Sequence, residues 1–342
     1  MSAIEEIGTK YLGKKWEDAP ATFEVKNPAT GQVIARVADC GADEARRAAD
    51  VAAEAFESWR KTTAYERAAI LERWSALMLE RQEELARAMT SEMGKPIKES
   101  RGEVAYAAGF VKWYAEEAKR INGETIQSQF SNKRLMALKQ PVGPVFAVTP
   151  WNFPLAMVTR KAGPALAAGC TFVLKPAEQS PLSALLAADL WREAGGPEGT
   201  LQVLPASNPV PVATALMADP RIRKVTFTGS TEVGRILYRQ AADTVKRISL
   251  ELGGHAPLIV FDDADLETAV KQTVACKYRN GGQTCVCANR IYVQKGIAEE
   301  FTRALAAASQ ALKVGDPMND DTDIGPLVDA QGLAKVRSHL DD

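Results

Sequence analysis

Histidine is almost missing from this 342-residue chain: His255 and His339 are the two it has, and they stand far apart. The five cysteines, Cys40, Cys170, Cys276, Cys285 and Cys287, are an odd number in a chain too long for a disulfide-stapled miniprotein, so reduced thiols are expected. No Cys/His cluster has metal-ligand spacing, which argues against a zinc or iron site. Charge of one sign is lacking too. With 42 Lys+Arg against 43 Asp+Glu the net charge is -1, which argues against general affinity for nucleic acid or anionic membranes. No apolar run reaches the ~18 residues a membrane helix needs. The opening MSAIEEIGTK has no basic start followed by an apolar stretch, so no secretory signal is expected. A cytoplasmic globular chain of two or three domains is the expectation, with no nucleic-acid or membrane partner.

What is present changes character along the chain. TFEVKNPATGQVIARV alternates around an NPATG turn and reads as a hairpin. AYERAAILERWSALMLERQEELARAM has helical periodicity and reads as one long amphipathic helix stopped by SEMGKP. Residues 124–141, ETIQSQFSNKRLMALKQP, have extended patterning and read as a protruding pair of strands, an association arm for a homodimer or homotetramer. Past Pro141, the short runs VFAVTP, TFVLKP, LQVLP, RKVTFTG, RISLELGG and APLIVFDD alternate with helical stretches. That rhythm predicts an α/β fold with a doubly wound parallel sheet covered on both faces. Ligands of such sheets bind beyond the carboxyl ends of the strands. The segment 288–342 offers one clear strand, RIYVQK, too little to close a second sheet, so the chain is expected to stop inside a domain.

Chemistry-bearing residues follow those strand ends. In YRNGGQTCVCANR, two glycines bring backbone amides close to a ligand, and a thiolate at Cys285 would be a strong nucleophile near neutral pH. Buried unreactive cysteines are common, so this motif alone decides nothing. Glu251 closes an apolar strand before two glycines, where a partly desolvated carboxylate suits a general base; a surface glutamate before a turn is the plainer reading. Asn152 in TPWNFP offers a rigidly held amide, the donor an oxyanion requires, or is a turn asparagine packed by aromatics. Lys175 and Glu178 follow another strand, and Gly229 and Ser230 open a strand-to-helix turn of the kind that receives a pyrophosphate. The G-x-G-x-x-G fingerprint is absent, so the usual dinucleotide argument does not apply.

Taken together, TPWNFP, LKPAEQSP, FTGSTEVG, LELGG and GQTC stand in the order and approximate spacing found in the aldehyde dehydrogenase superfamily, which this chain resembles over essentially its whole length. WNFPLAMVTRK and KYRNGGQTCVCANR are similar to the succinate-semialdehyde dehydrogenases of that superfamily. The resemblance implies Cys285 as nucleophile, Glu251 as base and Asn152 as oxyanion donor. It implies Trp151, Lys175, Glu178, Gly229 and Ser230 at a bound dinucleotide, NAD or NADP, and Arg160 and Arg279 on the substrate's distal carboxylate. A dinucleotide-binding domain over 1–123 and 142–250, the arm at 124–141 and an incomplete catalytic domain over 251–342 would follow. Members of the superfamily continue beyond residue 342, with a further glutamate for the nicotinamide ribose and the last association strand. His255 stands where Asn or Lys is usual; it could tune Glu251, but plain variation around the site is the favoured reading. An extended CVC would put the Cys285 and Cys287 side chains on one face, near the upper limit for a strained, reversible disulfide. Oxidation of succinate semialdehyde is the leading expectation. Glutarate semialdehyde or an aliphatic aldehyde, a cofactor-independent thiol hydrolase, and a truncated non-catalytic relative are the alternatives.

Overall fold

The computed structural model describes residues 9–341, so most of MSAIEEIGTK lies outside the described residues. β1 (Lys10–Leu12) and β2 (Trp16–Asp18) form an antiparallel pair, and β3 (Thr22–Lys26) and β4 (Val33–Ala38) form the expected hairpin around NPATG. Four helices follow, Ala42–Trp59, Ala64–Glu80, Gln82–Met93 and Ile97–Ala118. The stretch 124–141 is a separate hairpin of β5 (Glu124–Ile126) and β6 (Leu135–Ala137). Then come the parallel strands β7 (Val145–Val148), β8 (Phe172–Lys175), β9 (Leu201–Val203), β10 (Lys224–Gly229) and β11 (Arg247–Leu252). Last, β12 (Ala256–Val260) pairs in parallel with β13 (Ala288–Val293).

The main sheet runs β11-β10-β7-β8-β9-β1-β2. The parallel part of the sheet begins at β7, winds outward through β8 and β9, then returns to the other side of β7 as β10 and β11. The reversal lies between β7 and β10, and a doubly wound sheet opens its ligand crevice at that point. Register aligns the crevice: Val148 faces Lys175 on β8 and Phe227 on β10, and Thr228 faces Glu251 on β11. The loops TPWN and GST therefore leave neighbouring strands at the same height.

Alternation along the strands explains why both faces are covered. Val145, Ala147, Phe172, Leu174, Leu201 and Val203 enter one core, shared with the helices Ala64–Glu80 to Ile97–Ala118, Ala156–Ala167 and Leu182–Glu193. Phe146, Val173, Val225 and Phe227 enter the other, under Ala42–Trp59, Pro209–Ala218 and Thr231–Ala242. Gly234 allows the last helix its close approach, since a Cβ there would stand 2.7 Å from Leu252 Cδ2. A small third core, Val260, Val270, Ile297 and Phe301, joins the β12–β13 pair to the helices Leu266–Tyr278 and Ala298–Gln310.

The single long helix expected over residues 64–89 is two helices. Arg81 leaves helical geometry at φ -106° and ψ 28°, and its guanidinium reaches Glu193 at 2.5 Å. The break re-aims the second helix so that Leu85, Ala86 and Met89 are buried; tertiary packing overrides a continuous periodicity. Among the described residues, no helix is long and apolar enough to cross a membrane.

Candidate active site

The loop that carries Cys285 is built on left-handed backbone. After the helix Leu266–Tyr278, Asn280, Gly281 and Gly282 take φ of 53°, 61° and 79° in succession. Glycine adopts this region without penalty and asparagine tolerates it, so R-N-G-G is suited to the turn. Asn280 is buried and is held from two directions. Its backbone N–H donates to the Glu99 carboxylate at 2.9 and 3.2 Å, and its Nδ2 donates to the carbonyls of Asn152, 3.1 Å, and Gln283, 3.3 Å. Two residues past Gln283, Cys285 is half-buried.

Asn152 lies just past the end of β7, and its side-chain amide donates to the Gln283 carbonyl at 2.9 Å. This bond uses one of the two N–H groups; the other has no protein acceptor among the described residues. Asn152 and the Cys285 loop are therefore brought together. Glu251 sits on the same lip, opposite Thr228, but forms no hydrogen bond or ion pair with Asn152, Cys285 or His255 among the described residues. It is exposed, against the expectation of partial desolvation. The reason is its strand: β11 ends the sheet, pairs with β10 alone, and alternates between exposed and half-buried residues.

The extended CVC expected from sequence is instead a turn at Cys285–Val286, closed by Cys287 N–H on the Thr284 carbonyl at 3.4 Å. Cys287 is buried with Sγ on the Lys277 carbonyl, 3.4 Å, and all five cysteines are free thiols. The extended geometry that a Cys285–Cys287 disulfide would have drawn on is absent.

Cations surround the site. Arg160, in the helix Ala156–Ala167, lies over the Phe110 ring at 5.4 Å, and the exposed Arg279 lies over Phe153 at 4.7 Å. Neither guanidinium forms a salt bridge among the described residues. Lys161, next to Arg160, is buried and donates to Thr226 Oγ1 at 3.1 Å. Burial, then the Arg160 charge, push its ammonium down to about 8, with Glu251 opposing and Lys224 reinforcing.

Lys175, Glu178, Gly229 and Ser230 lie at or just past the carboxyl ends of β8 and β10. Lys175 is buried and its Nζ reaches Glu178 Oε2 at 2.7 Å, so the two residues expected to act separately form one ion pair. Ser230 caps the helix Thr231–Ala242 by accepting from Val233 N–H at 3.3 Å. A Cβ on Gly229 would stand 2.5 Å from the Phe227 ring, so only glycine keeps this turn open. Trp151 is half-buried, with its carbonyl accepting from Ser180 Oγ at 3.3 Å. Glu178 also borders a cavity of about 360 Å³ shared with Gln179 and Ser207. Hydroxyl acceptors, a buried ammonium and an open helix N-terminus at the switch point fit a dinucleotide's ribose and phosphates. The larger groove, about 720 Å³ between the helices Leu266–Tyr278 and Ala298–Gln310, contains none of these residues.

Reading the sequence did not single out Lys95, Glu99, Glu103, Lys161, Phe153 or Asn280. Its one signal for the first three was spacing, K-x3-E-x3-E straight after a glycine stop.

A family model described as the aldehyde dehydrogenase family matches residues 16–342. A glutarate-semialdehyde dehydrogenase of Pseudomonas putida is 54% identical over 334 residues, which are 97% of this chain and 69% of that protein. The NADP(+) succinate-semialdehyde dehydrogenase GabD of Escherichia coli is 52% identical, again over 97% of this chain and 69% of that protein. A crystal structure titled as an E. coli NADP-dependent enzyme superposes with a TM-score of 0.97 at 51% identity, covering 100% of this chain and 71% of that one.

The Lys161 environment yields a signed prediction. The folded chain binds fewer protons there than the unfolded chain from about pH 8 up to the ordinary lysine value of 10.5. The penalty of burying the charge is present below about pH 8 and is relieved as pH rises. Urea unfolding should show the parent gaining stability over Lys161→Met from pH 8 to 10, with a slope approaching about 1.4 kcal/mol per pH unit. Parallel pH profiles would contradict this.

Proposed function

Because the chain belongs to the aldehyde dehydrogenase family, we propose that it oxidises a short aldehyde carrying a terminal carboxylate, succinate semialdehyde foremost and glutarate semialdehyde as the alternative. What supports this best is the Asn152 amide held 2.9 Å from the carbonyl of Gln283, whose loop also carries Cys285 and Arg279, a guanidinium without a salt bridge among the described residues. The carboxylate-bearing aldehydes in the names of two relatives at 52–54% identity agree with it.

In this reading the Cys285 thiolate attacks the aldehyde carbon. The second Asn152 N–H and the Cys285 backbone N–H receive the oxyanion; one such donor contributes about 2.7–4 kcal/mol in comparable sites. A bound nicotinamide dinucleotide supplies the hydride acceptor that leaves a thioester on Cys285. Glu251, open to solvent, takes the proton of the water that releases the acid. Arg160 and Arg279 hold the distal carboxylate, for which a guanidinium fork is suited. Lys175 and Glu178 would hold an adenosine ribose, Gly229 and Ser230 the phosphates, and Trp151 the adjoining wall.

We also propose the division into a dinucleotide-binding part, 1–123 with 142–250, and a catalytic part from 251 onward. The 124–141 arm, with Ile126, Leu135, Met136 and Leu138 exposed, is proposed as the association surface of a dimer or tetramer.

NADH formation should require Cys285 and fall at least a hundredfold in Cys285→Ser. Arg279→Ala should raise KM for succinate semialdehyde about 10- to 100-fold, as expected for a charged hydrogen bond, and leave hexanal unaffected. Equal loss for both aldehydes would remove Arg279 from the carboxylate site.

NAD is proposed over NADP, since the Glu178 carboxylate accepts ribose hydroxyls and opposes a 2′-phosphate. Lys175 neutralises part of that repulsion, so the preference is modest. Glu178→Ser should move relative kcat/KM toward NADP, and an unchanged ratio would contradict the assignment.

A further inference from the structure

Lys95, Glu99 and Glu103 follow one another at intervals of four residues, the spacing that aligns side chains on one helix face, from just before the helix Ile97–Ala118 into its second turn. Lys95 and Glu103 are both buried, 1% and 2% exposed, and form an ion pair. A buried pair is a poor source of stability, because desolvation offsets its attraction. The other partners of these three side chains are unusual: all belong to the two loops of the candidate site. Lys95 Nζ donates to the Asn152 carbonyl at 2.9 Å and stands 3.9 Å over the Phe153 ring. Glu103 Oε1 accepts the N–H groups of Leu155 and Ala156, both at 3.0 Å, where the helix Ala156–Ala167 begins. Glu99 accepts the N–H of Asn280, the non-glycine residue held at φ 53°.

The two loops then close on each other. Asn280 Nδ2 shares the Asn152 carbonyl with Lys95, and Asn152 Nδ2 shares the Gln283 carbonyl with Asn280. One helix face thus grips the asparagine loop at three backbone points and the cysteine loop at a fourth.

We propose that Lys95, Glu99 and Glu103 are positioning residues, a clamp buried at Lys95 and Glu103 and half-buried at Glu99, that fixes the Asn152 amide relative to the loop that carries Cys285. They touch neither the nucleophile nor a substrate and act through the two loops. The assignment rests on the reading of Asn152 as oxyanion donor and Cys285 as nucleophile, but the clamp itself is a property of the chain without substrate.

Hydrogen exchange followed by mass spectrometry tests the clamp on the full chain. In Glu99→Ala, exchange over 279–287 should rise at least tenfold. Glu99→Gln, whose amide oxygen still accepts from Asn280, should restore parental rates. In Lys95→Met/Glu103→Gln, which removes both buried charges together, exchange should rise over 150–156. Peptides elsewhere should keep their protection in both. Parental exchange at both loops in folded variants would overturn the proposal, as would a rise spread over the whole chain. A cofactor-free readout adds the link to chemistry. Hydrolysis of p-nitrophenyl acetate by the parent should fall at least tenfold in kcat on Asn152→Ala with KM nearly unchanged. In the Lys95→Met/Glu103→Gln background the same change should cost less than twofold further. Losses that multiply would mean that Lys95 does not act through Asn152 and would overturn the proposal. A parent without Cys285-dependent hydrolysis would refute the proposed function alone, because exchange at the two loops decides the clamp independently.

Discussion

Two backbone carbonyls, of Asn152 and Gln283, carry the arrangement on which the rest depends. Each accepts a pair of hydrogen bonds, the first from Lys95 and Asn280, the second from Asn152 and Asn280. The residues joined are 131 positions apart in sequence, one at the carboxyl end of the central strand and one in a left-handed loop. Carbonyls drawn away from water need partners, and for these two half-buried residues neighbouring loops supply them rather than a ladder. That obligation brings the loop that carries Cys285 to the Asn152 amide, and the left-handed glycines of that loop allow it.

Around this knot, the sheet supplies the second organising constraint. A parallel sheet that reverses its winding between β7 and β10 leaves a crevice at one height along its carboxyl edge. The short polar loops past the strands place an amide, a lysine–glutamate pair, an open glycine turn and a free carboxylate along that edge. Lys161 and Arg160, adjacent on the helix that follows the Asn152 loop, add positive charge near Glu251, which agrees with the anionic substrate proposed. Among the described residues the guanidiniums of Arg160 and Arg279 form no salt bridge, and each rests on an aromatic ring, which agrees with the carboxylate role proposed for them.

Much of the sheet was legible in sequence, because short apolar runs between glycine and proline punctuate a doubly wound fold. The order and spacing of TPWNFP, FTGSTEVG, LELGG and GQTC carried the family resemblance. Four things were not legible, each for a physical reason. The break at Arg81 is tertiary: periodicity runs straight through it, and packing decides otherwise. The turn at Cys285–Val286 is dictated by the left-handed loop before it, which C-V-C does not encode. The exposure of Glu251 depends on which strand ends the sheet, a matter of topology. The clamp residues escaped notice because charges spaced four apart on a helix ordinarily face water. Only the packed structure reveals that these point inward to the loops that carry Asn152 and Cys285.

The central claim is that Asn152 keeps one N–H for the reacting centre at Cys285. A crystal structure of the chain with Cys285 alkylated by iodoacetamide tests it most directly, since the adduct carbonyl oxygen stands in for the oxyanion. The account predicts that oxygen within about 3.1 Å of Asn152 Nδ2, the range of a good hydrogen bond, with the bond to Gln283 retained. An adduct oxygen turned into solvent, with the Asn152 amide directed elsewhere, would contradict it.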